Sequence, residues 1–342
     1  MTQFLKRKPF IIAEIGQSHH GNFNKLKNII KLVGSSDVDA IKLQTHFSEH
    51  ESTYDEPFRN KKNINKKFKT RKDYWKSVEF SDTQWLKISK LVNKQKKIFL
   101  SSPFSLKGLN CLLKTNMPAI KIGSGEFFSK DLLQASIKSK LPLIVSTGLS
   151  NQVEISKMIK LLKKNKCKFT ILQCETSYPT DFKKIGLNYI KYWKKKFKCN
   201  VGISIHSSSI SPAIASITEG ADIIEVHVKT FEDKFNPDNS SSISIKQLNN
   251  LCNFRNDYLK FNFKKPKNKK LDKKQLKLKK IFTKSICLKQ DRSRNYIIKK
   301  SDIVYKKPGY GLKYEHEKFI IGKRLLNKVS SNRILTLKDL KI

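Results

Sequence analysis

Residues 200–228, NVGISIHSSSISPAIASITEGADIIEVHV, hold a strand, a helix and a second strand in one uninterrupted stretch. NVGIS (200–204) and DIIEVHV (222–228) are short β-branched runs, and the segment between them (211–219) opens on Ser-Pro, as a helix start does. A strand followed by a helix and another strand is the repeating unit of a parallel sheet. Both strands also carry polar groups inside or at the end of an apolar run: Ser204 and His206 on the first, Glu225 and His227 on the second. Such groups are costly to bury without partners, so they mark a site more readily than a core.

Working outward, the same unit recurs upstream. Strand-like runs lie at 10–15, 39–43, 98–101, 119–122, 142–146 and 169–173, with helix patterns at 24–33, 82–96, 105–114, 130–138 and 151–164 between them. Several of these helices begin at Ser, Asp or Asn. Eight strands with intervening helices predict an α/β fold, a (β/α)8 TIM barrel; a doubly wound open sheet is the structural competitor. The placing of polar residues favours the barrel. Glu14, Lys42, Gln44, Ser101, Ser102, Lys121, Ser146, Cys174 and Glu175 all fall in or at the ends of strands, and a barrel gathers such positions at its C-terminal mouth. Residues 47–80 interrupt the rhythm with a polar segment bearing Tyr54, Tyr74 and Trp75, either a wall over the pocket or a surface excursion.

The texture changes near residue 262. Residues 263–280 carry ten lysines against one aspartate, which predicts an exposed linker whose last part, QLKLKK, forms a helical turn. Short apolar runs separated by turn signals resume at 281–342 and predict a small β-rich domain. The expected organisation is therefore a barrel over 1–262, a linker over 263–280 and a compact domain over 281–342.

Composition narrows the functional classes. The 342 residues are 38% hydrophobic, enough for a sizeable core. No apolar run long enough for a membrane span and no small-residue cleavage site near the start are found, so the cytoplasm is the expected location and no membrane partner is expected. Six cysteines without CxxC spacing argue against a disulfide framework or a cysteine-built zinc site. A net charge of +43 raises the alternative of a basic nucleic-acid-binding module, yet only 8 of the 71 basic residues are arginine. Base and phosphate recognition favours the arginine fork, so the charge reads as a lysine-rich enzyme surface with no nucleic-acid partner.

The strand-end groups suggest chemistry. If both face the barrel axis, His206 and His227 bind one divalent ion, with Glu14 the nearest carboxylate because strand one neighbours strand eight; satisfied rim histidines are the alternative. Lys42 (DAIKLQT) and Lys121 (PAIKIGSGE) place ammonium groups in apolar strands. They serve as a Schiff-base nucleophile, as anchors for a substrate carboxylate or phosphate, or as members of salt bridges to Glu14 or Glu225. The turn IGSGE (122–126) offers backbone NH groups and Ser124 to phosphate oxygens. The hydroxyls of Ser101, Ser102, Ser146, Thr147 and Ser204 strengthen an oxyanion-rich reading. Gln44 and Glu126 suit a polyhydroxyl substrate, and Asp238 in FNPDNSSS either does the same or caps the following segment.

The ordered blocks FIIAEIG, SHHGN, DAIKLQTH, FLSSPF, AIKIGSGE, IVSTGLS, CETSYPTD, ISIHS, IEVHVKTF, NPD and KKPGYG resemble the sialic acid synthase family, N-acetylneuraminate synthases and related nonulosonic acid synthases, over nearly the whole chain. The resemblance implies a barrel followed by a small antifreeze-like (SAF) domain, and a homodimer in which that domain of one subunit covers the other's active site. It implies condensation of phosphoenolpyruvate with an N-acylated amino hexose, N-acetylmannosamine or a diacetamido relative, with release of phosphate and use of Mn2+ or Mg2+. By the same resemblance Lys42, Ser102, Lys121, Ser124, Ser146, Tyr178 and Ser204 match phosphoenolpyruvate contacts, and Thr176 stands near a phosphate contact. His206 and His227 match metal ligands, Glu14 the glutamate associated with the metal and its water, and Gln44, Glu126 and Asp238 sugar contacts. Two positions depart from the common pattern: Ile205 replaces the aspartate of SDH, and Lys307 in KKPGYG replaces an arginine that reaches the sugar acyl group from the partner subunit. A Schiff-base pyruvate aldolase or lyase is the competing enzyme class.

Overall fold

The computed structural model describes residues 9–58, 68–231, 236–261 and 268–341. Its first compact unit runs from Met1 to Phe261 and its second from Asn262 to Ile342.

The first unit is built on eight parallel strands: β1 (Phe10–Glu14), β2 (Ala40–Thr45), β3 (Ile98–Pro103), β4 (Ile120–Ile122), β5 (Leu143–Ser146), β6 (Phe169–Cys174), β7 (Asn200–Ile205) and β8 (Ile223–Lys229). Their order, β3-β2-β1-β8-β7-β6-β5-β4, joins the first strand to the last, and β3 packs beside β4 without a ladder between them. This is the (β/α)8 barrel expected from the strand count, and the open sheet is excluded by the pairing of β1 with β8. A short ninth strand, β9 (Ile243–Ser244), pairs in parallel with the end of β8. The helices are α1 (Phe23–Gly34), α2 (Arg71–Val78), α3 (Asp82–Lys94), α4 (Leu106–Leu112), α5 (Lys130–Lys138), α6 (Gln152–Lys164), α7 (Asn188–Phe197), α8 (Ser211–Thr218) and α9 (Ile245–Lys260). Their starts are written in the sequence: Thr70, Ser81, Asn151 and Ser244 each cap a helix reciprocally with the Asp, Gln or Glu three residues on.

The stops are less conventional. Each of the six junctions that lead from α3–α8 into β3–β8 uses one left-handed residue, in turn Lys96, Asn116, Lys140, Lys166, Lys198 and Gly220. Cys167 N donates to Leu162 O and Ala221 N to Ser216 O, the six-to-one closure of a Schellman stop. Lysine therefore occupies four places where glycine is least strained. The strands are buried on both faces and form, with the inner faces of the helices, one continuous core.

The segment 47–80 is partly outside the described residues, which omit 59–67. What is described includes α2, whose Tyr74 is buried, whereas Tyr54 is an exposed ring under Lys72. Of the lysine-rich stretch 263–280, residues 263–267 lie outside the described residues; Lys273–Phe282 forms α10, longer than the expected turn and capped by Asp272 with Gln275. The second unit then forms two antiparallel ribbons. β10 (Ser285–Leu288) pairs with β11 (Ile303–Lys306), and, after the short α11 (Glu317–Ile320), β12 (Arg324–Leu325) pairs with β13 (Leu340–Lys341). Its own small core includes Ile286, Leu288, Ile298, Leu325 and Leu335. All six cysteines are free thiols, four of them buried. Among the described residues no helix is long and apolar enough to cross a membrane.

Candidate active site

Strand register places the polar residues at one level. Glu14 lies opposite Lys42 on β2 and His227 on β8, Gln44 opposite Ser102, and Ser204 opposite both Cys174 and Glu225. Side chains alternate across a strand, so Ser204 and His206 share the inner face while Ile205 turns into the surrounding apolar layer and is buried there. The departure from SDH is accommodated as packing.

The strand ends surround a cavity of about 530 Å³. Lys42, Lys121, His206, His227 and Asp238 line it together with Gln44, Thr176, Tyr178 and the serines 102, 124, 146 and 204. Three of the expected residues stand elsewhere. Glu14 is completely buried next to Lys42; Glu126 is outside the lining and accepts a bond from Ser129 at 2.5 Å; Lys307 belongs to the second compact unit. The structure adds Glu225, Cys174, Gln17, Tyr74, Trp75 and Phe104. Glu225 was legible as a strand-end group, two residues before His227 and hence on the same face. Tyr74 and Trp75 make part of the segment 47–80 a wall of the pocket; Phe58 and Arg71 line it as well.

Two ammonium groups and two carboxylates form the floor. Lys42 Nζ is ion-paired with Glu14, stands 4.0 Å from Glu225 Oε2 and donates to Ser102 Oγ at 3.2 Å. Lys121 Nζ donates to Ser146 Oγ at 2.7 Å and lies 3.7 Å from Glu225 Oε1, which also accepts from Ser204 Oγ at 2.9 Å. The salt bridges considered from sequence are therefore present. Their balance is uneven. Burial lowers the proton affinity of Lys42, but Glu14 and Glu225 outweigh it and hold the pKa above the ordinary value. For Lys121 burial prevails, aided by the charge of Lys42, and the pKa lies below the ordinary value. Burial would raise Glu225, yet Lys121 and Lys42 bring its pKa well below the carboxylate range.

Two imidazoles stand above this floor, their ring centroids 5.1 Å apart. His206 Nδ1 donates to the Glu175 carbonyl at 2.8 Å, and its Nε2 accepts from the Tyr178 hydroxyl at 3.0 Å. Burial, then the neighbouring His227, lowers its pKa to about 4, consistent with a neutral ring whose Nε2 lone pair is taken up by Tyr178. The Nδ1–carbonyl bond fixes the tautomer of the ring and leaves Nε2 as the nitrogen that could ligate a metal in place of its bond to Tyr178. His227 Nδ1 lies 3.5 Å from Asp238 Oδ2. Burial lowers the His227 pKa, but Asp238 more than offsets it; Asp238 is drawn down in turn despite its own burial.

Gly16 explains how these groups come so close. It is left-handed, and a Cβ there would sit 2.7 Å from Asp238 Oδ2 and 3.8 Å from both Glu14 Oε1 and His227 Nδ1. A small space ringed by acid and imidazole atoms is thus kept open by the absence of a side chain. Asp238 Oδ2, Glu225 Oε2, Thr176 Oγ1 and His227 Nδ1 are buried without a close hydrogen bond, His227 Nδ1 and Asp238 Oδ2 facing each other and Glu225 Oε2 facing Lys42 only as more distant charge partners. Polar atoms so buried retain bonding capacity that a ligand in the cavity could use.

The NeuB family model matches residues 29–261. N,N'-diacetyllegionaminic acid synthase of Campylobacter jejuni is 28% identical over 333 residues, covering 93% of this chain and 96% of that protein. Pseudaminic acid synthase of Helicobacter pylori is 25% identical over 338 residues, covering 97% and 98%. Among solved structures, the N-acetylneuraminic acid (sialic acid) synthetase of Leptospira borgpetersenii in complex with citrate superposes with a TM-score of 0.66 at 28% identity, over 75% of this chain and 87% of that one. A family match across most of the barrel, with full-length relatives aligned beyond it, establishes the kinship that the strand-end residues implied: the chain belongs to the NeuB family.

Proposed function

We propose that the mouth of the barrel condenses phosphoenolpyruvate with the open-chain aldehyde of an N-acylated amino hexose, giving a nonulosonic acid and inorganic phosphate. The observation that carries this reading is the pair of buried lysines, each bonded to a serine hydroxyl at the base of a cavity lined by further hydroxyls. Lys42 and Lys121 bind the carboxylate and phosphate of phosphoenolpyruvate, with Ser102, Ser124, Ser146, Thr176, Tyr178 and Ser204 supplying hydrogen bonds. Held there, the enol carbon is aligned for attack on the aldehyde carbon, and positioning supplies much of the acceleration. The new bond leaves cationic character at C2. Water adds to it, Glu14 takes the water's proton, the alkoxide left from the aldehyde is protonated in turn, and the tetrahedral intermediate expels phosphate. Gln44 and Asp238, which line the cavity, orient the acceptor.

A divalent ion suits this mouth. The neutral His206 ring and the open space bordered by Glu14, His227 and Asp238 support it. Among the described residues no three His, Cys, Asp or Glu side chains are spaced as a complete metal cluster. His206 and His227 would hold Mn2+, or Mg2+, with Glu14 acting through water, and the bound ion supplies Lewis-acid polarisation of the aldehyde oxygen.

Phosphate release should require both phosphoenolpyruvate and an amino sugar and should cease with a chelator. A lysine–pyruvate adduct trapped by borohydride, with turnover indifferent to chelation, would overturn this reading in favour of the Schiff-base class. A panel of N-acetylmannosamine and diacetamido-trideoxyhexoses identifies the acceptor. We further propose a cytoplasmic homodimer in which the second unit, of antifreeze-like type, completes the partner's site through Lys307. Lys307→Ala should then raise the acceptor KM more than that of phosphoenolpyruvate, and mixing it with Lys121→Met should restore activity once subunits exchange.

A further inference from the structure

A third buried histidine, His46, has no part in the chemistry above. It directly follows β2 and is 2% exposed. Its ring lies flat between two aromatic rings that line the cavity: Trp75, with centroids 4.1 Å apart and planes at 5°, and Phe104, at 4.4 Å and 13°. Nδ1 meets Glu51 Oε1 at 2.7 Å, and the Glu51 side chain is itself 3% exposed. The loop folds back to bring it there, with Phe47 N donating to Glu51 Oε2 at 3.4 Å. On the other side of the ring, Nε2 lies 3.3 Å from Gln44 Oε1.

That oxygen has a second suitor. Gln17 Nε2 donates to Gln44 Oε1 at 2.7 Å, and Gln17 is fixed in turn by the Tyr74 hydroxyl, which donates to its Oε1 at 2.8 Å. A primary amide can be turned end for end with little change of shape, so its neighbours decide which end faces a ligand. Each ring nitrogen of His46 thus faces an oxygen, Nδ1 that of Glu51 and Nε2 that of Gln44. Turning Gln44 over would set its NH2 against the Gln17 NH2, which Tyr74 holds in place.

We propose that the His46–Glu51 pair is a positioning device that fixes Gln44 as a hydrogen-bond donor towards an acceptor oxygen of the amino sugar. This rests on the proposed condensation, because Gln44 must meet the sugar for its orientation to matter there. His46 touches no reacting atom; it acts through Gln44 and through the stacked wall that prevents its own ring from turning. The chemistry selected is an oxygen acceptor on the sugar at that position, and an N–H group there is disfavoured.

The test combines a mutant cycle with a substrate-free spectrum. In the phosphate-release assay, His46→Ala should raise the sugar KM roughly ten- to a hundredfold, as expected for losing a buried hydrogen bond, and leave the phosphoenolpyruvate KM within about twofold. Gln44→Ala should do the same, and the double variant should be no worse than Gln44→Ala alone. Additive losses, or a sugar KM unmoved by His46→Ala, would overturn the proposal. Glu51→Gln keeps the packing should His46→Ala fail to fold, and it too should raise the sugar KM. In the protein without substrate, the side-chain NH2 resonances of Gln44, assigned by their absence in Gln44→Ala, should shift in Glu51→Gln; unmoved resonances would sink the idea. If the wild type releases no phosphate with any amino sugar, the condensation reading fails while the resonances still decide the clamp.

Discussion

Buried carboxylates are handled in opposite ways at the barrel mouth and in the second compact unit. In the second, Asp302 accepts from Arg292 at 2.6 Å, Tyr296 at 3.0 Å and the Lys299 amide at 2.9 Å. Asp339 receives both arms of Arg333, at 2.9 and 2.6 Å, with the amide and hydroxyl of Thr336 at 2.9 and 2.8 Å. Each closes a short 3-10 turn directly before a strand, Asp302 ahead of β11 and Asp339 ahead of β13. Around these carboxylates donors are plentiful. At the barrel mouth, two lysines share two glutamates, and Glu225 Oε2 and Asp238 Oδ2 lack hydrogen bonds. A fully bonded ion pair is costly to break, whereas one with bonding capacity left beside a cavity can take up a further partner.

The contrast can be broken most decisively at Lys121. Lys121→Met should reduce turnover roughly a hundred- to a thousandfold, with a far-ultraviolet dichroism spectrum close to that of the wild type; steady-state phosphate release checks the first and the spectrum the second. Full activity would place Lys121 among structural groups and erase the distinction. His227→Ala should behave alike.

Asp339→Ala tests the other side. It strands the Arg333 fork and should destabilise the second unit by about 2 kcal/mol, a value already reduced for the partial exposure of Arg333. Calorimetry should show the loss in that unit's transition while the barrel's stays in place. Acid sharpens the same point. Burial would raise the pKa of Asp302 and Asp339, but hydrogen bonds chiefly from Arg292 and Arg333 hold both below the ordinary 3.8. The unfolded state therefore binds protons first, so this stability is complete above about pH 5 and declines as pH falls through the lower folded values. Asp302→Asn should flatten that decline in a pH series of denaturation midpoints.

The smallest effect belongs to the helix stops. Left-handed lysine is strained by about 1–2 kcal/mol, offset by the extra chain entropy a glycine loses, about 0.5–1 kcal/mol. Lys140→Gly and Lys166→Gly should each stabilise the barrel by about 0.5 kcal/mol, measured as a small rise in midpoint with unchanged turnover.

Much of the barrel was legible because its signals are local. Strands announced themselves by β-branched runs and helices by Ser, Asp or Asn at their starts, as at Asp82 and Asn151, where the structure adds reciprocal caps at Ser81 with Gln84 and Asn151 with Glu154. The mouth was legible where a polar residue broke an apolar strand, as at Lys42, Lys121 and His227. What escaped depended on chain reversal. Glu51 returns to His46 through a turn, and Gln17 reaches the cavity from the loop after β1; for Tyr74 and Trp75 the sequence left a wall and a surface excursion open, and the structure gives the wall. The stops escaped for another reason: a lysine carries no mark of the backbone conformation it will be forced into, whereas a glycine advertises it.

Those stops also bear on the chain's composition. Six successive junctions need the same backbone geometry and four meet it with lysine, at a cost of about 0.5 kcal/mol each that the fold absorbs. Lysine thus stands even where the backbone mildly opposes it, whereas at the barrel mouth each buried lysine is met by a carboxylate and a serine hydroxyl.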